Sequence, residues 1–124
     1  VSALVVIVAL AAGAIAALLR YAASILFAGR SRLPLAVLLV NAVGSMIGGI
    51  VLGLVQSGAI RPDARLVVLG GIAGGLTTFS TLSVETVQLA LAGRWRTALG
   101  SMLANLVIGI ASAVLGFALA SGSG

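Results

Sequence analysis

The chain has 124 residues, of which 61% are hydrophobic and only 7% charged, against about 25% charged residues in an ordinary soluble domain. It contains no cysteine and no histidine, which excludes disulfides, thiolate or imidazole metal sites, and Cys/His or Ser/His catalysis. The two acids, Asp63 and Glu85, lie far apart, and the cations are all arginines flanking apolar runs. Carboxylate-pair chemistry and nucleic-acid binding therefore give way to a non-enzymatic, all-α integral membrane protein with interfacial anchors.

Residues 3–27 form the first expected span, apolar except for Arg20 and Ser24. At about 1.5 Å per residue they exceed the roughly 30 Å hydrocarbon layer. The run lacks a basic start and further apolar runs follow it, so it reads as a span rather than a cleaved signal. Arg20 either snorkels to the headgroups or lines an aqueous vestibule, where its fixed charge concentrates anions.

The stretch AGRSRLP is a loop carrying Arg30 and Arg32, and Pro34 suits the first turn of the second span, residues 34–55. There Asn41, Gly44, Ser45, Gly48 and Gly49 recur at helical spacings and share one stripe. The glycines predict a close-packing seam between helices. Asn41, an amide in an apolar span, needs a partner across the bundle or a wet path.

The loop QSGAIRPDAR, with Arg61 and Arg65, leads into the third span, residues 64–92. No lysine or arginine lies between Arg65 and Arg94, so the middle of this span sits deep. Yet residues 70–85 read GGIAGGLTTFSTLSVE, crowded with Gly70, Gly71, Gly74, Gly75, Thr77, Thr78, Ser80, Thr81 and Ser83. Glycine costs about 1 kcal/mol relative to alanine in a helix, and paired threonines add β-branched crowding. The helix is expected to break at mid-membrane, where non-helical backbone survives only if protein or water satisfies it. Such a break predicts an ion or substrate site.

A third loop, AGRWR, carries Arg94, Arg96 and an interfacial Trp95. The fourth span, residues 97–120, places Ser101, Asn105, Gly109, Ser112 and Gly116 on one face, and the closing SGSG reads as a flexible tail. The whole, residues 1–124, is expected to form a single four-helix transmembrane domain.

Short loops put both termini on one side, with Arg30, Arg32, Arg94 and Arg96 facing one way and Arg61 and Arg65 the other. That asymmetry is a weak determinant of orientation. It allows insertion both ways and an antiparallel, dual-topology homodimer whose broken helices cross at a two-fold axis. There is no convincing internal repeat, so inverted symmetry would come from two chains.

The hydroxyls of Thr77, Thr78, Ser80, Thr81 and Ser83 and the amides of Asn41 and Asn105 can replace part of the hydration shell of a small anion. No buried lysine or arginine cluster would trap that anion, which favours passage over capture. Phe79 can face an anion with its positive ring edge, or pack against lipid or core. The broken helix exposes carbonyls, and two chains crossing there could hold a cation such as Na⁺ in an oxygen cage. Glu85 is a counter-ion, a proton-linked site, a hydrogen-bonded gate, or a partner of Arg20 or of hydroxyls.

The stretch GGLTTFSTLSVE resembles the signature of the Fluc, or CrcB, fluoride channels, GGxTTFSTFSxE. The resemblance extends along nearly the full length through GAIAALLRY, VNAVGS and NLVIG. It implies a dual-topology dimer in a prokaryotic inner (plasma) membrane, with two antiparallel pores, passive fluoride efflux and a central Na⁺. By position, the Na⁺ site would use the backbone carbonyls of Gly74 and Thr77. Asn41, Phe79, Ser80, Thr78 and Thr81 would line the pore, Asn105 and Ser112 would continue a polar track, Arg20 would stand at the vestibule, and Glu85 would be the family's acid just beyond the break.

Two departures stand out: Leu82 replaces the second phenylalanine of the motif, and Ser101 stands where many members carry a tyrosine. Either the pore works with one phenylalanine per chain, or a homologous partner supplies the other in a heterodimer. Two rivals come from other classes. A small multidrug or cation transporter would need a glutamate in the first helix and an aromatic-lined cavity, and this chain has Arg20 and 4% aromatics. A structural membrane subunit would explain the glycines but not the hydroxyl run, Phe79 or the asparagines.

Overall fold

The structure, a computed structural model, describes residues 2–27 and 35–121. The loop with Arg30 and Arg32, the Pro34 start of the second span and residues 122–124 of the expected tail lie outside the described residues. Among the described residues, four helical spans are long and apolar enough to cross a membrane. They are α1 (Ala3–Leu26), α2 (Leu35–Gln56), an interrupted third span (Pro62–Leu91) and α6 (Trp95–Ser121). The third span is composite: α3 (Pro62–Arg65), a π-helical stretch (Leu66–Ala73), α4 (Gly74–Leu76), two extended residues, and α5 (Phe79–Leu91).

The ends of these helices follow from local chemistry. Ser2 caps α1, its Oγ accepting from the Val5 N–H at 3.2 Å. Pro62 opens α3, where its missing N–H is harmless. Both α2 and α5 end on a left-handed glycine, Gly58 (φ 74°) and Gly93 (φ 79°). At each, a residue beyond the glycine reaches back: Ala59 N–H to the Leu54 carbonyl at 2.9 Å, and Arg94 N–H to the Leu89 carbonyl at 2.8 Å. The glycine N–H groups themselves bond Val55 and Ala90 carbonyls, so three of the last four carbonyls at each end are satisfied. Trp95 and Arg96, expected in a loop, instead form the first turn of α6, with the Arg96 guanidinium 5.4 Å from the Trp95 ring centroid.

Large apolar side chains such as Leu4, Leu10, Leu18, Leu103 and Val107 face outward, while the buried positions are mostly small: Ala16, Gly44, Gly49, Ala73, Ala98 and Gly116. That inversion suits a lipid surround, where helices gain nothing by hiding leucine from hydrocarbon and associate instead through close backbone approach. The expected seam is present and pairs α2 with α6. A Cβ on Gly116 would lie against the Met46 carbonyl and 3.0 Å from the Ile50 nitrogen, and one on Gly49 would overlap the Ala113 backbone. Gly44 serves a different neighbour, making room for the Thr77 methyl group.

The glycines of the third span play a role different from the one expected of them. The chain stays helical through Gly70, Gly71, Gly74 and Gly75, first widened to π winding and then as α4. The absent side chains of Gly71 and Gly75 let this segment touch α1: a Cβ on Gly71 would sit 2.6 Å from the Ala9 carbonyl, and one on Gly75 would strike the Gly13 backbone. The break is confined to Thr77 (φ −79°, ψ 152°) and Thr78 (φ −150°, ψ 121°), midway along the span.

Candidate functional site

Straightening two residues leaves the helical hydrogen-bond ladder open, and side chains from α1 and α2 close part of it, with a side chain of α6 behind them. Asn41, on α2, does what a strand neighbour would do. Its Oδ1 accepts from the Thr78 N–H at 2.7 Å and its Nδ2 donates to the Thr78 carbonyl at 3.1 Å. The same Nδ2 donates to Asn105 Oδ1 on α6 at 3.1 Å, and Asn105 Nδ2 donates to the Ser101 carbonyl one turn back at 2.9 Å. From α1, Arg20 Nε donates to the Gly75 carbonyl at 3.3 Å, placing a cation at the C-terminal, carbonyl-rich end of the first half of the span.

Thr78 then restarts the helix as its N-cap. Its Oγ1 accepts from the Thr81 N–H at 3.1 Å and donates to Thr81 Oγ1 at 3.1 Å, with Ser80 Oγ 3.3 Å away. Thr77 Oγ1 bonds back to the Ala73 carbonyl, and Ser83 and Thr86 do likewise to Phe79 and Leu82. The hydroxyl run is thus divided: Thr78, Ser80 and Thr81 form one cluster at the break, while Thr77, Ser83 and Thr86 are occupied by their own helix. Among the described residues no hydrogen bond reaches the carbonyls of Gly74, Leu76 or Thr77.

Two cavities meet at the break. A groove of about 570 Å³ is lined by Asn41, Ser45, Thr77, Thr78, Phe79, Leu82 and Asn105, with Leu99, Met102, Leu103 and Leu106 of α6 as its apolar wall. A smaller cavity of about 190 Å³ is lined by Arg20, Tyr21, Ser24, Thr78, Thr81 and Glu85, with Ala36, Val37 and Val40 of α2. Thr78, 9% exposed, lines both. Phe79 stands 81% exposed at the groove. Arg20 and Glu85 face the same small cavity, but among the described residues no ion pair joins them, and Glu85 Oε1 is buried without a hydrogen-bond partner. Of the residues singled out in the sequence, Ser80 touches the break only through Thr78. Ser112 lines neither cavity, lying two turns, about 10 Å, along α6 from Asn105.

A family model described as CrcB-like protein, Camphor Resistance (CrcB), matches residues 7–117. The chain belongs to the CrcB family. Among its CrcB relatives, a protein of Renibacterium salmoninarum is 40% identical over 118 residues, covering 89% of this chain and 94% of its own. One of Roseiflexus sp. is 42% identical over 118 residues, covering 92% and 95%, and one of Thermus thermophilus is 40% identical over 109 residues, covering 86% and 87%. All three bear the name fluoride-specific ion channel FluC.

Several residues of this CrcB chain that shape the site were not among the site residues expected from the sequence. Tyr21 and Ser24 follow Arg20 around the small cavity, and Met102 and Leu103 wall the groove as ordinary apolar positions. Ser101, placed on the polar face with Asn105 and noted as a departure from a family tyrosine, is 2% exposed and supplies the carbonyl that holds Asn105. Its spacing of four from Asn105 on one helix is the one feature that could have pointed to this bond.

Proposed function

We propose that this protein is a subunit of a fluoride-selective channel that lets fluoride leave the cell passively through the prokaryotic inner membrane. The observation that carries the reading is the two-residue break, which gathers Asn41, Thr78, Phe79 and Asn105 around one groove and Arg20 with Thr81 and Glu85 around a cavity behind it. Membership of a family whose relatives bear the fluoride-channel name supports the choice of anion.

Fluoride is small and strongly hydrated, so a path for it must offer donors closely spaced and none so strong as to hold it. Neutral hydroxyls and amides meet that need. Arg20 raises the local anion concentration in its cavity, yet its Nε is engaged by Gly75, which keeps the guanidinium beside the path instead of across it. Thr78 is common to both cavities, so an ion moving between them would pass its side chain. Phe79 would turn its ring edge to the ion in the groove.

The reading includes a second, inverted copy against the exposed groove, giving two antiparallel pores, and Na⁺ at the crossing of the two breaks. The donor set suits such an ion: the break strands the carbonyls of Gly74, Leu76 and Thr77, and alkali cations take oxygen ligands from unwound helices. Gly74 and Thr77 would hold it, and its charge would pin the two breaks together. Leu82 leaves one motif phenylalanine per chain, and a homologous partner carrying the second would make a heterodimer.

The test is fluoride efflux from liposomes containing this chain alone, followed with a fluoride electrode, with chloride and an organic cation as comparators and subunits counted by photobleaching. Fluoride release with neither comparator supports the channel. Organic-cation exchange would favour a multidrug transporter, and tight vesicles with this chain alone and with a co-expressed homologue would favour a structural subunit. Replacing Na⁺ by a large organic cation on both sides is expected to lower flux.

A further inference from the structure

We propose that Arg61 and Arg65 form a binding site for the headgroup of an anionic phospholipid, one phosphate bridging the two guanidinium groups at the start of the third span. The inference needs only a membrane-spanning chain and is independent of the ion that the chain conducts.

Arg61 is the N-cap of α3 and Arg65 is its last residue. The Arg65 N–H donates to the Arg61 carbonyl at 3.0 Å, so the two residues sit one turn apart on the same side of the helix. Like charges in that relation repel unless an anion lies between them. Asp63 does not serve: it lies about 200° round the turn from each. Among the described residues neither guanidinium has an ion pair or a hydrogen bond, and both residues are exposed. The other described arginines are committed within the chain. Arg20 donates to the Gly75 carbonyl, Arg96 lies over the Trp95 ring, and Arg94 is engaged as well.

Depth points to lipid as the source of the anion. At about 1.5 Å per residue the 30-residue third span is about 45 Å long, the thickness of a bilayer with its headgroup layers. Its first turn therefore lies among phosphates. Leu66, exposed next to Arg65, begins the apolar run, so acyl chains find hydrocarbon directly below the arginine pair. Each guanidinium presents a planar fork of donors that matches phosphate oxygens in pairs. A choline headgroup carries its own compensating cation, so a lipid of net negative charge is favoured. Bound there, it fixes the depth of the first half of the third span, and with it the depth of the break.

The test titrates full-length protein in detergent micelles with dioleoyl phosphatidylglycerol or dioleoyl phosphatidylcholine. Lipid retained per chain is read by native mass spectrometry, and thermal unfolding is followed in parallel. One phosphatidylglycerol per chain is expected to stay bound where phosphatidylcholine is stripped, and to raise the melting temperature. Diffuse attraction to an anionic surface is worth about fivefold per arginine and adds from one arginine to the next. A shared phosphate predicts non-additive losses. Arg61→Gln or Arg65→Gln alone should lower phosphatidylglycerol affinity about thirtyfold, and the double replacement should add less than about threefold. Arg96→Gln, beyond the far end of the third span, should change it by less than about twofold. Equal, additive steps at all three arginines overturn the site, as does parent protein that retains both lipids alike. Equal stabilisation by millimolar inorganic phosphate without lipid assigns the pair to a free anion and also overturns it. The two-lipid comparison needs no variant, so it decides the matter even if a replacement fails to fold.

Discussion

Replacing Asn41 by leucine is the sharpest test of how the break is held. The change removes three hydrogen bonds at once, to the Thr78 N–H, the Thr78 carbonyl and Asn105 Oδ1. Each group left without a partner costs about 1–3 kcal/mol when fully buried, a ceiling of about 9 kcal/mol. At the average of about 0.6 kcal/mol for interhelical hydrogen bonds inside membranes, the three together give a floor near 2 kcal/mol. The groove of about 570 Å³ opens beside these groups and lets water reach some of them, so a loss of about 2–4 kcal/mol is expected. Reversible unfolding in mixed micelles measures it, and a cycle with Asn105→Leu isolates the bond between the two amides. A loss under about 1 kcal/mol, with Thr78 amide exchange unchanged, would mean that the break holds itself and that the clamp is incidental.

Other substitutions read separate parts of the structure. Gly116→Val should prevent α2 and α6 from closing and abolish folded yield, because the new side chain meets the Met46 carbonyl and Ile50; Gly100→Ala, with open space around it, should stabilise by up to about 1 kcal/mol, and thermal unfolding in detergent compares the two. Phe79→Ala should remove fluoride flux while changing stability by no more than about 0.5 kcal/mol, since the ring is 81% exposed; a flux equal to that of the parent would take Phe79 out of the path. Leu82→Phe should fold normally, because Leu82 borders the groove, and should raise flux in liposomes of this chain alone if a second ring is what the homodimer lacks. Glu85→Gln should be at least as stable as the parent, because among the described residues Oε1 has no partner to lose; a clear fall in melting temperature would reveal a partner for the carboxylate.

The four spans, the seam and the existence of the break were legible because each depends on residue type alone. Apolar runs of spanning length, small residues at helical spacing, and threonines where a helix is costly all appear in one dimension. The exact residues of the break within 70–85 were not legible, because Gly71 and Gly75 look like helix breakers until α1 is brought against them. Packed on Gly13 and Ala9, they remain helical, and the two threonines carry the whole interruption. The pairing of Arg20 was likewise hidden: its donor goes to a backbone carbonyl 55 residues away, and any carbonyl reads the same in sequence.

The bonding of the asparagines was also out of reach of the sequence. By type, Asn41 and Asn105 are the same group on facing stripes of α2 and α6, and both read as anion donors. What separates them is the backbone within reach. Asn41 meets the exposed backbone of the break, whereas Asn105 meets its own helix. A helix opened inside a membrane must be closed by groups from elsewhere. Closing this break takes both amide hydrogens of Asn41, one directly at the Thr78 carbonyl and one in the bond to Asn105 that braces it.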